Sequence, residues 1–306
     1  TTSKQERSAP KPGRTAIVEL LQQLANGLAV GAIYGLTALG FVLIYKATEV
    51  VNFAQGDLLM LGAFVSWTFI VPLGLPYIAA FILTIVVMAL VGAGLDRFVM
   101  RPIIGQPHFA GIMLTIGLAF SIRGIASLIW GPQERGLPTP FTQKTSNLGG
   151  VLVQDSALAI AAGTVVLCVA MFFFFRRTRL GIAMQATSQN QLAAYLMAIP
   201  VKSVFTLTWA IAAAVSGIAG MLIAPLLAVE LNLWIIVLKG FGAAVLGGFG
   251  SIPGALVGGL LIGVAEQFVG VYIDPGAKGI TAYIVLLAVL LAFPRGLFGD
   301  PLGKRV

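Results

Sequence analysis

Nine apolar segments, separated by short polar ones, make up most of the chain. They are residues 21–45, 53–72, 76–98, 109–130, 156–175, 204–227, 231–249, 252–273 and 279–294. A helix needs about 20 apolar residues to cross the hydrocarbon core of a bilayer. Three of the segments are short or are interrupted by glycine and polar residues, namely 53–72, 231–249 and 279–294. The pattern predicts an all-α polytopic membrane protein with eight or nine transmembrane segments.

The composition agrees with this pattern. Of the 306 residues, 58% are hydrophobic and 10% are charged, whereas soluble domains contain about 25% charged residues. We therefore expect a single transmembrane domain over residues 17–299. Residues 1–16 are polar and contain two prolines, and we expect a disordered tail there.

The basic residues predict the orientation of the helices. Residues 176–202 contain three arginines and a lysine but no acidic residue, which is typical of a cytoplasmic segment. We assign the net charge of +8 to membrane topology and expect no nucleic acid partner. The N-terminus lies outside if every apolar segment crosses, and inside if segment 53–72 enters the bilayer and returns. The sequence supports either arrangement.

Polar residues interrupt the apolar pattern once in each half of the chain. The residues concerned are Asn52, Gln55, Gly56 and Asp57 in the first half, and Lys239 and Gly240 in the second. The second interruption continues as a glycine-rich stretch to residue 254. Such a pattern is typical of transporters built from two inverted repeats with discontinuous helices. We place the repeats at residues 17–130 and 156–294, and we expect the polar residues to line a translocation path or its gate.

A purely structural role is the alternative for both interruptions. Glycine-rich membrane helices often pack closely, because small residues let backbones approach one another. This explanation suits residues 240–254 well. Asp57 could cap the helix that begins there by accepting backbone N–H bonds.

The cytoplasmic segment contains a short amphipathic pattern after its basic residues. The apolar residues of Gln189–Ile199 recur at helical spacing, at Leu192, Tyr195, Leu196 and Ile199. A helix of this kind could be held by a soluble partner, or it could simply lie at the membrane interface.

Two charged residues lie inside apolar segments. Arg123 and Glu266 each stand seven residues before the outer end of their segment, which places both about 10 Å below the outer surface. A charge inside a bilayer is costly unless it is paired. The matching depth predicts an ion pair between them, and the alternative is that each reaches the interface independently.

The chain lacks the residues that its own energy source or catalysis would require. There is one cysteine, Cys168, and one histidine, His108, so we expect no metal site and no enzymatic activity. No G-x-x-x-x-G-K-[ST] nucleotide motif is present. We expect no cofactor bound by this chain. Energy must come from a partner ATPase or from an ion gradient, and in the second case Asp57 and Glu266 would be the ion-binding candidates.

Three motifs together resemble the LivH-type permeases of branched-chain amino acid ABC importers. They are GLTALGFVLIYKATEVVNFAQGDLLMLGAF, RRTRLGIAMQATSQNQLAAYLMAI and FGAAVLGGFGSIPGALVGGLLIG, and the resemblance covers residues 20–299. It implies a permease of the bacterial inner membrane that carries a branched-chain amino acid or a related small solute. It also implies a LivM-like second permease, two cytoplasmic ATP-binding subunits that hydrolyse ATP, and a periplasmic solute-binding protein.

The same resemblance identifies a coupling helix that would seat in the ATPase. It comprises the residues Gln189, Asn190, Ala193, Ala194 and Ala198. The family often has glycine where this chain has Ala198, so the resemblance implies slightly looser packing there.

Overall fold

The computed structural model describes residues 12–48, 50–103, 108–141, 144–148, 151–294 and 296–299. These residues are almost entirely helical. The helices are α1 (Pro12–Thr48), α2 (Gln55–Ile70), α3 (Tyr77–Leu95), α4 (His108–Trp130), α5 (Asp155–Arg177), α6 (Arg179–Gln189), α7 (Gln191–Leu196), α8 (Val201–Leu227), α9 (Ile236–Gly247), α10 (Ile252–Tyr272) and α11 (Lys278–Ala292). A π-helical turn, Asp96–Met100, and a 3-10 turn, Arg101–Ile103, extend α3, while 3-10 turns at Leu231–Ile235 and Pro275–Ala277 precede α9 and α11.

Seven helices of the described chain are long and apolar enough to cross a membrane. They are Val18–Lys46, Tyr77–Ile103, Phe109–Trp130, Asp155–Arg177, Val201–Leu227, Ile252–Tyr272 and Pro275–Ala292. Two shorter apolar helices, Gln55–Ile70 and Leu231–Gly247, occupy the remaining apolar segments. The prediction of an all-α polytopic protein is confirmed. The two-repeat arrangement stays a prediction.

α1 is the central helix of the bundle, and it packs antiparallel against α10. Glycines recur every fourth residue on α1, and Gly27, Gly31 and Gly35 face Val264, Leu260 and Leu256. A Cβ atom on Gly31 would lie 2.6 Å from the Cα of Leu260. The two backbones therefore touch, and the close contact depends on the absence of side chains at these positions. α2 crosses α8 in the same way, where Gly62 meets Gly217.

α1 runs from the end of the bundle that holds the hairpin to the end that holds the basic segment. Near its start, the Gln23 side chain accepts a hydrogen bond of 2.7 Å from Gln267, which lies close to the end of α10. Near its end, Lys46 lies over the ring of Phe175 at the end of α5. With the basic segment in the cytoplasm, the described start of α1 is on the outer side. This direction agrees with the alternative in which every apolar segment crosses.

A β-hairpin and a short backbone bridge lie at the end of the bundle where the described part of α1 starts. Strands β1 (Thr145–Leu148) and β2 (Val151–Gln154) pair antiparallel. The N–H groups of Arg135 and Val229 each donate to the other's carbonyl, at 3.0 and 2.8 Å. This bridge joins the connection after α4 to the connection after α8. It ties the two halves of the chain together outside the helices.

The described part of α1 starts at Pro12, within the tail predicted over residues 1–16; residues 1–11 lie outside the described chain. The expected helix interruption at Lys239 and Gly240 is wrong. Lys239 and Gly240 do not interrupt a helix, since both lie within α9. Gly240 packs against Thr37 of α1, where a side chain would not fit. The true interruptions lie before and after this helix, at residues 228–235 and 248–251.

Candidate functional site

The first polar interruption folds as a turn that enters α2. The Asn52 side-chain oxygen accepts a hydrogen bond of 3.0 Å from the backbone N–H of Ala54, and the Asn52 carbonyl accepts one of 3.2 Å from Gln55. These bonds fix the chain before the first helical residue. Asn52 and Gln55 are both buried. Within the described chain, Asn52 Nδ2 and Gln55 Oε1 have no hydrogen-bond partner.

Gln55 and Gly56 connect the start of α2 to three other helices. Gln55 Nε2 donates a hydrogen bond of 2.6 Å to Ser216 Oγ on α8, and its amide occupies the space opposite Gly40 on α1. A Cβ atom on Gly56 would lie 2.8 Å from the carbonyl oxygen of Trp234, just before α9. Both residues therefore pack closely, in addition to any role in a path.

Asp57 forms a two-pronged ion pair with Arg123 on α4. Arg123 Nε and Nη2 donate to the two carboxylate oxygens at 3.0 and 3.2 Å. The Asp57 side chain is 1% exposed and the Arg123 side chain 23%. The guanidinium carbon also lies 3.9 Å from the centre of the Trp234 ring. Asp57 lies in the first turn of α2, and this position further stabilises its carboxylate because the N-terminus of a helix carries partial positive charge.

Glu266 forms the second intramembrane ion pair, with Lys239. The Lys239 nitrogen lies 2.7 Å from Glu266 Oε1, and the side chains are 24% and 0% exposed. The Tyr34 hydroxyl donates to Glu266 Oε2 at 2.7 Å and accepts from Lys239 at 3.2 Å. α1, α9 and α10 thus share one hydrogen-bonded cluster.

The predicted ion pair between Arg123 and Glu266 is wrong. Equal depth along two helices does not make those helices neighbours. α4 packs beside α2, whereas α10 packs beside α1 and α9, so each charge finds its partner on a different helix. Asp57 does not occupy the N-cap position of α2, which is Ala54, and its carboxylate bonds Arg123.

The segment predicted to be cytoplasmic contains two short helices, α6 and α7, with an outward apolar surface. The Asn190 side chain caps α7 by accepting a hydrogen bond of 2.9 Å from Ala193. Ala194 is buried beneath the helix, while Ala193 and Gln189 are exposed. Four large apolar side chains point away from the bundle, and 69–78% of each is exposed: Leu192, Tyr195, Leu196 and Met197. Nothing in the described chain covers them.

Ala198 ends this segment in a left-handed conformation, with φ of 59°. Glycine adopts that conformation without steric cost, whereas alanine does not. The left-handed backbone therefore explains why the family often has glycine at this position. The explanation is the conformation of the backbone, and not closer packing of the helix.

Sequence reasoning missed Tyr34, Ser216 and Trp234, which complete these clusters. Each lies in an apolar segment and carries one polar group. This polar group is the only feature of the sequence that could have indicated a place in the site. Among the described residues, no group of three or more His, Cys, Asp or Glu side chains could hold a metal ion.

Comparison with known proteins gives one family. The family model described as the permease component of branched-chain amino acid transport systems matches residues 23–294. The permease BraD of Pseudomonas aeruginosa is 33% identical over 305 residues, covering 95% of this chain and 99% of the relative. The permease LivH of Escherichia coli is 32% identical over 302 residues, covering 94% and 97%.

One solved structure has a similar fold. It is PsaBC from Streptococcus pneumoniae in complex with Fab, which is 14% identical and has a TM-score of 0.50. The alignment covers 92% of this chain and 97% of the other. At this identity the similarity concerns the fold alone.

Proposed function

Because the chain belongs to the family of permease components of branched-chain amino acid transport systems, we propose that it forms the translocation path for branched-chain amino acids in an ABC importer. The chain is a transport permease and not an enzyme, and it is a multi-pass protein of the bacterial inner membrane. The observation that carries the proposal is the match to named permeases over nearly the full length of both proteins.

The interruptions before α2 and α9 suit a path. Backbone that leaves a helix at membrane depth is tolerated only where protein covers it or where it lines a water-filled cavity. The path or gate would include Asn52, Gln55, Gly56, Asp57, Lys239 and Gly240. The unpartnered polar atoms of Asn52 and Gln55 support a site that exchanges partners as the transporter changes state.

The exposed apolar surface of α7 suits an ATP-binding subunit. Four large apolar side chains exposed together, three on this short helix and Met197 directly after it, are unusual unless a partner covers them. In this proposal the helix and its flanking residues, including Gln189, Asn190, Ala193, Ala194 and Ala198, seat in a groove of the ATPase. The importer would contain two such subunits, which hydrolyse ATP, a LivM-like second permease and a periplasmic solute-binding protein.

Reconstitution tests the proposed function. We expect the chain, its partner permease and its ATP-binding subunits in proteoliposomes to take up labelled leucine when ATP and the binding protein are both present. An ATP-binding subunit unable to hydrolyse ATP is the matched control and should give no uptake. Uptake by this chain alone, driven by a sodium or proton gradient, would overturn the proposal in favour of a secondary transporter.

A substitution on α7 tests the docking surface. Leu196→Glu places a charge on a side chain that is 75% exposed, so folding should be unaffected while burial against an ATPase becomes costly. We expect the ATP-binding subunits to be lost on purification of the tagged permease. Leu73→Glu, at an outer turn where 60% of the side chain is exposed, is the matched control and should retain them. Normal recovery with Leu196→Glu would contradict the assignment.

A further inference from the structure

The two intramembrane ion pairs share one arrangement. In each pair the anion is buried and the cation reaches the surface. Asp57 and Glu266 are 1% and 0% exposed, whereas Arg123 and Lys239 are 23% and 24% exposed. An aromatic ring supports each cation, since Arg123 lies over Trp234 and Lys239 over Tyr34.

Both pairs lie at similar depth and meet the same segment, because Trp234 lies against Arg123 and Lys239 pairs with Glu266. Arg123 stands seven residues before the end of α4 at Trp130, and Glu266 six before the end of α10 at Tyr272. At 1.5 Å per residue, each is about 10 Å below the outer end of its helix. The segment from Trp234 to Lys239 runs between them. Ile235 and Leu238 on this segment are 48% and 44% exposed.

Such a surface carries a positive potential although each pair is neutral. A solute at the surface is closer to the cation than to the buried anion, and the Coulomb energy falls with distance. Lipid tails do not readily cover charged groups at this depth. The surface therefore requires either water or protein against it, and water suits the helix interruptions beside it.

We propose that this surface, formed by Arg123, Lys239 and the exposed side of Trp234–Lys239, is a carboxylate-selective section of the translocation path. The inference rests on the proposed function and names the group that the path recognises. The carboxylate of a zwitterionic amino acid passes the two cations, and free cations are repelled. The buried anions hold the cationic heads in place, so the site needs no rearrangement to receive the carboxylate.

Charged thiol reagents measure this potential without any transport. Ile235→Cys and Leu238→Cys are made separately with Cys168→Ser, and the full complex is purified in detergent. Each introduced cysteine is treated with an anionic sulfonatoethyl methanethiosulfonate and with its cationic trimethylammonium counterpart. Leu73→Cys, in the exposed outer turn, gives the intrinsic ratio of the two rates. We expect the anionic reagent to be favoured at least about three-fold over that ratio at both positions.

Variants in which both charges of one ion pair are removed show which pair causes the preference for the anionic reagent. Lys239→Gln with Glu266→Gln removes both charges of one pair while keeping polar side chains, and should reduce the preference at both introduced cysteines. Arg123→Gln with Asp57→Asn should do the same for the other pair. Lys239→Arg keeps the charge, so it should keep the preference and shows that substitution at this site is tolerated.

Three results would overturn the inference. They are failure of both reagents to modify either position while Leu73→Cys reacts, equal relative rates for the two reagents, and a preference that survives neutralisation. ATP-driven uptake by the unmodified complex tests the proposed function separately. If uptake fails but the preference is present, the proposed function is wrong while the potential of this surface is established.

Discussion

The ion pair between Asp57 and Arg123 makes the strongest prediction about stability. Arg123→Met keeps much of the side-chain length and removes the charge. It leaves Asp57, which is 1% exposed, without its partner. Removal of one member of a buried ion pair typically costs about 3–5 kcal/mol, because the remaining charge is buried and uncompensated. We expect Arg123→Met to destabilise the chain by about 3 kcal/mol.

The reverse substitution should cost less. Asp57→Asn leaves Arg123 without its carboxylate, but 23% of the arginine side chain is exposed and its guanidinium still lies over Trp234. That cation–π contact contributes about 0.5–2 kcal/mol. We therefore expect a loss of about 1–2 kcal/mol for Asp57→Asn. The double variant should lose far less than the sum of the single losses, with a coupling energy of about 2 kcal/mol.

Equilibrium unfolding of the purified chain in mixed micelles measures these free energies. The matched control is a second cycle, Arg123→Met with Glu266→Gln, which joins two charges that are not in contact in this fold. Its coupling should be below about 0.5 kcal/mol. Additive losses in the first cycle, or strong coupling in the control, would refute the assignment of partners.

Three further substitutions test the close contacts and the backbone, each by the thermal unfolding midpoint of the purified complex. Ala198→Gly should stabilise by about 1 kcal/mol, because φ at this residue is 59°; an unchanged or lower midpoint would contradict this. Gly31→Ala should destabilise, because its Cβ would meet the α10 backbone, whereas Gly117→Ala on α4 has open space and should be neutral; equal effects would argue against the α1–α10 contact. Ser216→Ala should cost about 1–3 kcal/mol by leaving the buried Gln55 amide nitrogen unpaired, and no loss would show that another group replaces the hydroxyl.

The helices could be predicted because a helix that crosses a bilayer requires about 20 consecutive apolar residues. Each apolar segment became a helix, and the bounds of α4, predicted at 109–130, are His108–Trp130. The polar interruption at Asn52–Asp57 was also visible, since it departs from that requirement. The length of a helix and the depth of a residue along it depend only on positions in the sequence, so both can be predicted from the sequence alone.

The partners of the charges could not be predicted in the same way. Depth places Arg123 and Glu266 at one level, but the choice of partner depends on which helices are neighbours and on which side each charge lies. Lys239 was misplaced for a related reason. Glycine destabilises an isolated helix, but it allows a second helix to pack at close range. At Gly240 the second helix is α1, which contacts it through Thr37. The hairpin was missed although Gly149-Gly150, followed by the β-forming residues Val151 to Val153, is a turn signal.

The contact between α1 and α10 has a consequence for how the protein is made. Tyr34 and Glu266, which bond across this contact, are 232 residues apart. At about 5–20 residues per second, the ribosome needs roughly 10–50 s to synthesise the partner after α1 has formed. During that time the glycine face of α1 has lipid or insertion machinery against it. The central helix of the bundle is therefore made long before it reaches its final packing, and chains that end before α10 should be substrates for membrane proteases.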